Sequence, residues 1–215
     1  MYSILSGPLV WIAFIVFIGG LVYRFIRMLK LAQKEKVIYP YMSLKYSLRS
    51  LLHWVIPFAS KNMRISYEVT IVTFIFHISA VLLPLFIKAH MVMFTSAWGI
   101  SWVTISDSTA NFLTLLVIFS CIFFFIRRLM LPEVRFVTFT SDYLLLAIVV
   151  APFVTGYMAN QHWFNYEIML TIHIISGAVM LMVIPFTRLS HMLYFPFARS
   201  YMGSEFGAVR NSKDW

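Results

Sequence analysis

Apolar residues in this chain gather into five long stretches separated by shorter connections that hold most of the charge, at roughly residues 6–29, 66–92, 109–130, 141–160 and 166–191. Each stretch approaches or exceeds the about 20 residues that a helix needs to cross a hydrocarbon core of roughly 30 Å. Between the first two, residues 39–60 mix Tyr41, Leu44, Leu48, Leu51 and Trp54 with Lys45 and Arg49, the pattern of a helix lying in the membrane interface. No internal repeat or low-complexity segment is evident. The pattern predicts an all-α membrane protein, a five-transmembrane-helix bundle forming one domain over residues 1–215.

Composition agrees with that reading. Hydrophobic residues make up 61% of the 215 and charged residues 12%, so water cannot solvate most of the folded surface. A net charge of +9 could suggest nucleic acid, but the charges lie between apolar runs and not on one face of a soluble domain, which excludes that partner. The run from Pro8 to Tyr23 leads into Arg24, Arg27 and Lys30 with no small-residue cleavage site, so it is expected to be retained as the first span.

Charge placement sets the expected topology. The first connection carries Arg24, Arg27, Lys30, Lys34, Lys36, Lys45, Arg49, Lys61 and Arg64 against Glu35. The third carries Arg127, Arg128 and Arg135, and the end of the last span and the tail carry Arg188, Arg199, Arg210 and Lys213. With five spans, all of the 17 basic residues except Lys88 fall on one side, which the positive-inside rule makes cytoplasmic. The N-terminus is then outside and the C-terminus inside. Trp98, Trp102 and Trp163 fall in the opposite loops, at headgroup level.

The single cysteine, Cys121, excludes an intrachain disulfide, a cluster held by this chain alone and a CxxCH haem attachment. Histidine is the informative residue, because a ligating side chain inside a membrane is costly and is a functional candidate by default. His77 lies within the second span and His173 within the fifth, with His90 and His191 toward their ends. On one continuous helix the 18 residues from His173 to His191 make about five turns, placing both rings on one face about 27 Å apart. Two such ligands suit two stacked haems, each completed from a facing helix. The antiparallel course of the second and fifth spans sets His77 against His191 on the inner side and His90 against His173 on the outer side. His90 is about 100° or more off the face of His77 on an ideal helix, and Pro84 between them can kink or rewind that helix. His53 and His162 fall in interfacial segments and are expected to be solvated.

The motifs FHIS around His77, RRLMLPEVR from Arg127, SDYLLL from Ser141 and IHIISG…IPFTRLSHM around His173, Arg188 and His191 bring a family into view. From about residue 66 onward the chain resembles the haem b gamma-subunit family of respiratory nitrate reductase, and within it the small cytochrome b subunits of transmembrane redox complexes of sulfate-reducing bacteria. The resemblance implies haem iron axial ligation by His77, His173 and His191. The family's second ligand on the second span falls about ten residues beyond the first, where this chain has Ile87, so His90 is the candidate here. Arg188, three residues before His191, suits an anionic propionate.

The same resemblance implies an electron-transfer subunit of an oxidoreductase complex in a bacterial cytoplasmic membrane, with two haems b, or one if the outer pair fails. Its expected partners are a cytoplasmic iron–sulfur subunit and a periplasmic multihaem cytochrome c. The alternative within electron transfer is menaquinol oxidation near the outer haem, with Lys88, His90, Asp107 or Glu167 accepting protons. A small ion or proton transporter is a weaker alternative, because no acidic residue lies deep in a span. A cofactor-free assembly anchor is the third.

Overall fold

The computed structural model describes residues 5–34 and 42–212. Glu35, Lys36, Tyr39, Tyr41 and Lys213, which entered the charge and interface arguments above, lie outside the described residues. The described residues are helical with no strand: α1 Val10–Lys34, α2 Leu44–Val55, α3 Lys61–Ile65, α4 Tyr67–Phe86, α5 Lys88–Trp98, α6 Asp107–Met130, α7 Pro132–Phe136, α8 Thr140–Asn160, α9 Tyr166–Val183 and α10 His191–Ser204. Among the described residues, five segments are long and apolar enough to cross a bilayer: Gly7–Ala32, Tyr67–Phe86, Asp107–Met130, Thr140–Asn160 and Tyr166–Phe186. Most of their side chains are not covered by the chain itself, as expected where lipid replaces water around an apolar surface.

Two spans end earlier than the apolar pattern predicts. The second stops at Phe86, because Ile87 takes an extended conformation (φ −70°, ψ 135°) and α5 starts afresh at Lys88. The fifth leaves the α-helix at Val183, passes through a 3-10 turn at Ile184–Phe186, becomes extended at Thr187 and resumes at His191 as α10. His173 and His191 are therefore not on one continuous helix, and the five-turn register between them does not hold.

The chain divides into two compact units, Ser3–Ile71 with Ala178–Trp215, and Val72–Gly177. In the first, α1 meets the 3-10 turn after α9: Arg24 Nε donates to the Pro185 carbonyl at 2.9 Å, and Pro185 occupies the space that a Cβ on Gly20 would need. There too α2 packs along α10 through small residues. Ser47 Oγ lies 3.2 Å from the Ser200 carbonyl and 3.1 Å from Ser204 Oγ, which accepts from the Ser43 N–H at 3.0 Å. Such residues let two helix backbones approach closely.

In the second unit, Leu83, Val117 and Cys121 form a core flanked by Phe76, Ala80, Leu113, Leu146, Val150 and Phe153. Local signals delimit its helices. Ser106 caps α6 by accepting from the Thr109 N–H, and Asp142 reaches back to the Phe139 N–H at 2.8 Å to start α8. α6 ends at Leu131, the residue before Pro132, as proline disfavours helical geometry in the residue preceding it. Gly99 closes α5 in the left-handed region (φ 68°).

Candidate functional site

The break at Ile87 exposes the last carbonyls of α4, and each finds a donor from outside the helix. The Pro84 carbonyl accepts from His90 Nδ1 at 3.0 Å, the Leu85 carbonyl from Trp102 Nε1 at 2.8 Å, and the Phe86 carbonyl from the Ile105 N–H at 3.0 Å. Backbone groups freed at a helix end in an apolar setting must be paired in this way. His90 is thus not a distal residue of the second span but part of the connection that closes it, and its ring is fixed by that closure.

From the fifth span, His173 reaches the same place. Its Nδ1 donates to the carbonyl of Pro152 in α8 at 2.8 Å, and its ring lies against Gly156, where an added Cβ would sit 2.9 Å from both Cε1 and Nδ1. Ser176 Oγ donates to the His173 carbonyl at 3.0 Å and lies 3.4 Å from Thr155 Oγ1. The His90 and His173 rings are 6.0 Å apart between centroids and inclined by 16°.

A carbonyl only accepts, so in both rings Nδ1 carries the proton and, in the neutral form, Nε2 carries the lone pair. This is the tautomer of a metal-binding histidine, whose other nitrogen is normally held by a carbonyl or carboxylate. His77 and His191 share it: His77 Nδ1 meets the Thr73 carbonyl at 2.8 Å, and His191 Nδ1 meets the Arg188 carbonyl at 3.0 Å. Both rings are exposed on the chain. They fall in different compact units, His77 in the second and His191 in the first. Arg188 lies in the 3-10 turn just before α10, where its backbone orients His191.

His90 and His173 bring two imidazoles of the same tautomer close together. No group of three or more His, Cys, Asp or Glu side chains able to hold a metal ion occurs among the described residues. A bare ion held by protein takes four or more ligands. A haem, whose macrocycle supplies four ligands to its iron, would need only two histidines from the protein. When bound, such a group supplies one-electron chemistry.

The remaining candidates take other positions. Lys88 pairs with Asp107 at 3.3 Å, both exposed. His162 takes a positive φ of 54° and sets its ring 5.2 Å from Tyr166, and His53 occupies the last turn of α2. Sequence reasoning passed over Gly156 and Pro152, and gave Trp102 only a headgroup-level place. A glycine four residues after a mid-span proline was the available signal for the first two, and nothing in the sequence connects Trp102 to Leu85.

The fold and composition define a multi-pass membrane protein. No protein-family model matches the chain. It is 37% identical over 215 residues to a protein of Nitratidesulfovibrio vulgaris (strain Hildenborough), spanning 98% of this chain and 95% of that one, and it belongs to the same family as that protein.

Proposed function

We propose that this protein is the membrane cytochrome b subunit of a respiratory redox complex, relaying electrons through b haems between the two faces of a bacterial cytoplasmic membrane. The observation that carries the reading is the paired, near-parallel His90 and His173 imidazoles, each with Nδ1 held by the carbonyl of an intrahelical proline. His77 and His191, in the same tautomer, are each a candidate haem ligand, and Arg188 is a candidate partner for a propionate.

The N-terminus lies outside and the C-terminus in the cytoplasm, which keeps the basic connections inside. The relative's bacterial origin suits that membrane. Electrons pass between a periplasmic multihaem cytochrome c, or menaquinol, and a cytoplasmic iron–sulfur subunit. The chain's own part is to ligate, bury and tune the haems.

The test is haem content per polypeptide by pyridine haemochrome, with a reduced-minus-oxidised spectrum on the same sample. Two haems b support both pairs, one restricts the reading to a single pair, and colourless protein with intact partner binding returns the chain to an assembly anchor. Reduction by menaquinol, and not by cytochrome c, would make it a quinol dehydrogenase subunit.

A further inference from the structure

The interfacial helix α2 buries its polar face. Ser47 and Ser50 are buried, and an added Cβ on Gly203 of α10 would lie 2.5 Å from both Ser50 Cβ and the Tyr46 carbonyl oxygen. The opposite face, Leu44, Leu48, Leu52 and Val55 at helical spacing, is 75%, 50%, 55% and 58% exposed. Lys45 and Arg49 border this leucine stripe. A helix with an uncovered apolar stripe and basic borders lies in the membrane interface, stripe toward the acyl chains.

At the end of α2, Trp54 meets Arg199 of α10. The Arg199 guanidinium of α10 lies over the Trp54 ring, Cζ 3.6 Å from the centroid. Trp54 Nε1 is buried without an acceptor among the described residues. Burial lowers the Arg199 pKa from the ordinary arginine value, and no carboxylate offsets it. A buried donor without an acceptor is costly, and stacking leaves the guanidinium's N–H edge unused. An anion at this edge relieves both.

We propose that Arg199 and Trp54 bind the phosphate of an acidic phospholipid headgroup, delivered to them by the leucine face of α2. The guanidinium fork matches phosphate oxygens bidentately, and the indole N–H supplies a further donor once the flexible arginine shifts to admit them. The position next to the last span, among basic residues expected to face the cytoplasm, favours a lipid of the anionic inner leaflet over a soluble anion.

The test uses the full chain, delipidated in detergent and titrated with phosphatidylglycerol or phosphatidylcholine, with bound lipid counted by native mass spectrometry. It requires no haem and is independent of the proposed electron-transfer role. Wild type should prefer phosphatidylglycerol, and Arg199→Gln should weaken it about tenfold or more, the worth of a charge-assisted hydrogen bond. Trp54→Phe should act in the same direction with the stack retained, and Arg199→Lys should fall between. If Arg199→Gln is not monodisperse, Trp54→Phe carries the test. Equal phosphatidylglycerol binding by wild type and the folded variants, or equal binding of both lipids, overturns the proposal. So does binding of inorganic phosphate without phosphatidylglycerol, which would mark a site for a free anion.

Discussion

The indole N–H of Trp102 donates to the carbonyl of Leu85 at 2.8 Å, tying the loop after α5 to the last turn of α4. Its backbone N–H faces Met91 Sδ at 3.4 Å, and its ring packs on Phe94 at 5.4 Å, so one residue holds the end of one helix and the body of the next. His90 sits between these anchors, on the first turn of α5.

Trp102→Phe retains most of the ring contact and removes the donor. The Leu85 carbonyl then loses its partner, at a cost of about 1–3 kcal/mol. We expect amide exchange across residues 85–92 to quicken, read by hydrogen-exchange mass spectrometry, while α8 is unchanged. Equal exchange in both proteins would show that the indole does not hold the break closed.

His90→Ala, on the proposed reading, lowers the haem-to-protein ratio by one haem and leaves the other spectroscopically intact. His191→Ala should do the converse and interrupt electron transfer across the membrane. A reduced-minus-oxidised spectrum unchanged by either substitution would remove that residue from the ligand set.

The five spans were legible because hydropathy over about 20 residues is a property of composition. Their ends were not. Ile87 is itself apolar and Thr187 uncharged, so neither interrupted an apolar pattern that ran on to residues 92 and 191. Pro84 and Pro185 were visible, but a proline permits a kink or a stop equally, and donors distant in sequence decide between them. His90 illustrates the consequence. Its angular mismatch with His77 assumed one helix, and a one-residue interruption at Ile87 redirects it toward His173.

Two adjacent glycines in α1 separate packing from propensity. A Cβ on Gly20 would lie 2.6 Å from Pro185 Cβ and 2.8 Å from Cγ, both on a rigid ring, whereas one on Gly19 meets nothing within 4 Å. Gly20→Ala should therefore lose about 1–3 kcal/mol to overpacking and also strain the Arg24 bond to the Pro185 carbonyl. Gly19→Ala should be neutral or slightly stabilising, since alanine favours helix. Thermal unfolding in detergent distinguishes them, and equal midpoints would mean that α1 does not press on this turn.

A second glycine pair tests the histidine site by the same logic. Gly156→Ala would put a methyl 2.9 Å from Cε1 and Nδ1 of His173, within hard contact, and the α8 backbone that carries it cannot readily retreat inside a packed helix. The ring must turn away, and in turning it loses the 2.8 Å bond to the Pro152 carbonyl that fixes its tautomer. Gly177→Ala, four residues along α9 from His173, meets nothing within 4 Å and serves as the control. On the proposed reading Gly156→Ala should bind one haem fewer than wild type, with an affinity loss of about 10–100-fold, as for other groups that orient a ligand, and Gly177→Ala should keep full content. The comparison is read by haemochrome stoichiometry and by the absorption line shape of the oxidised protein. Full haem content and an unaltered line shape in Gly156→Ala would mean that His173 tolerates rotation and that its contact with α8 does not set the ligand geometry.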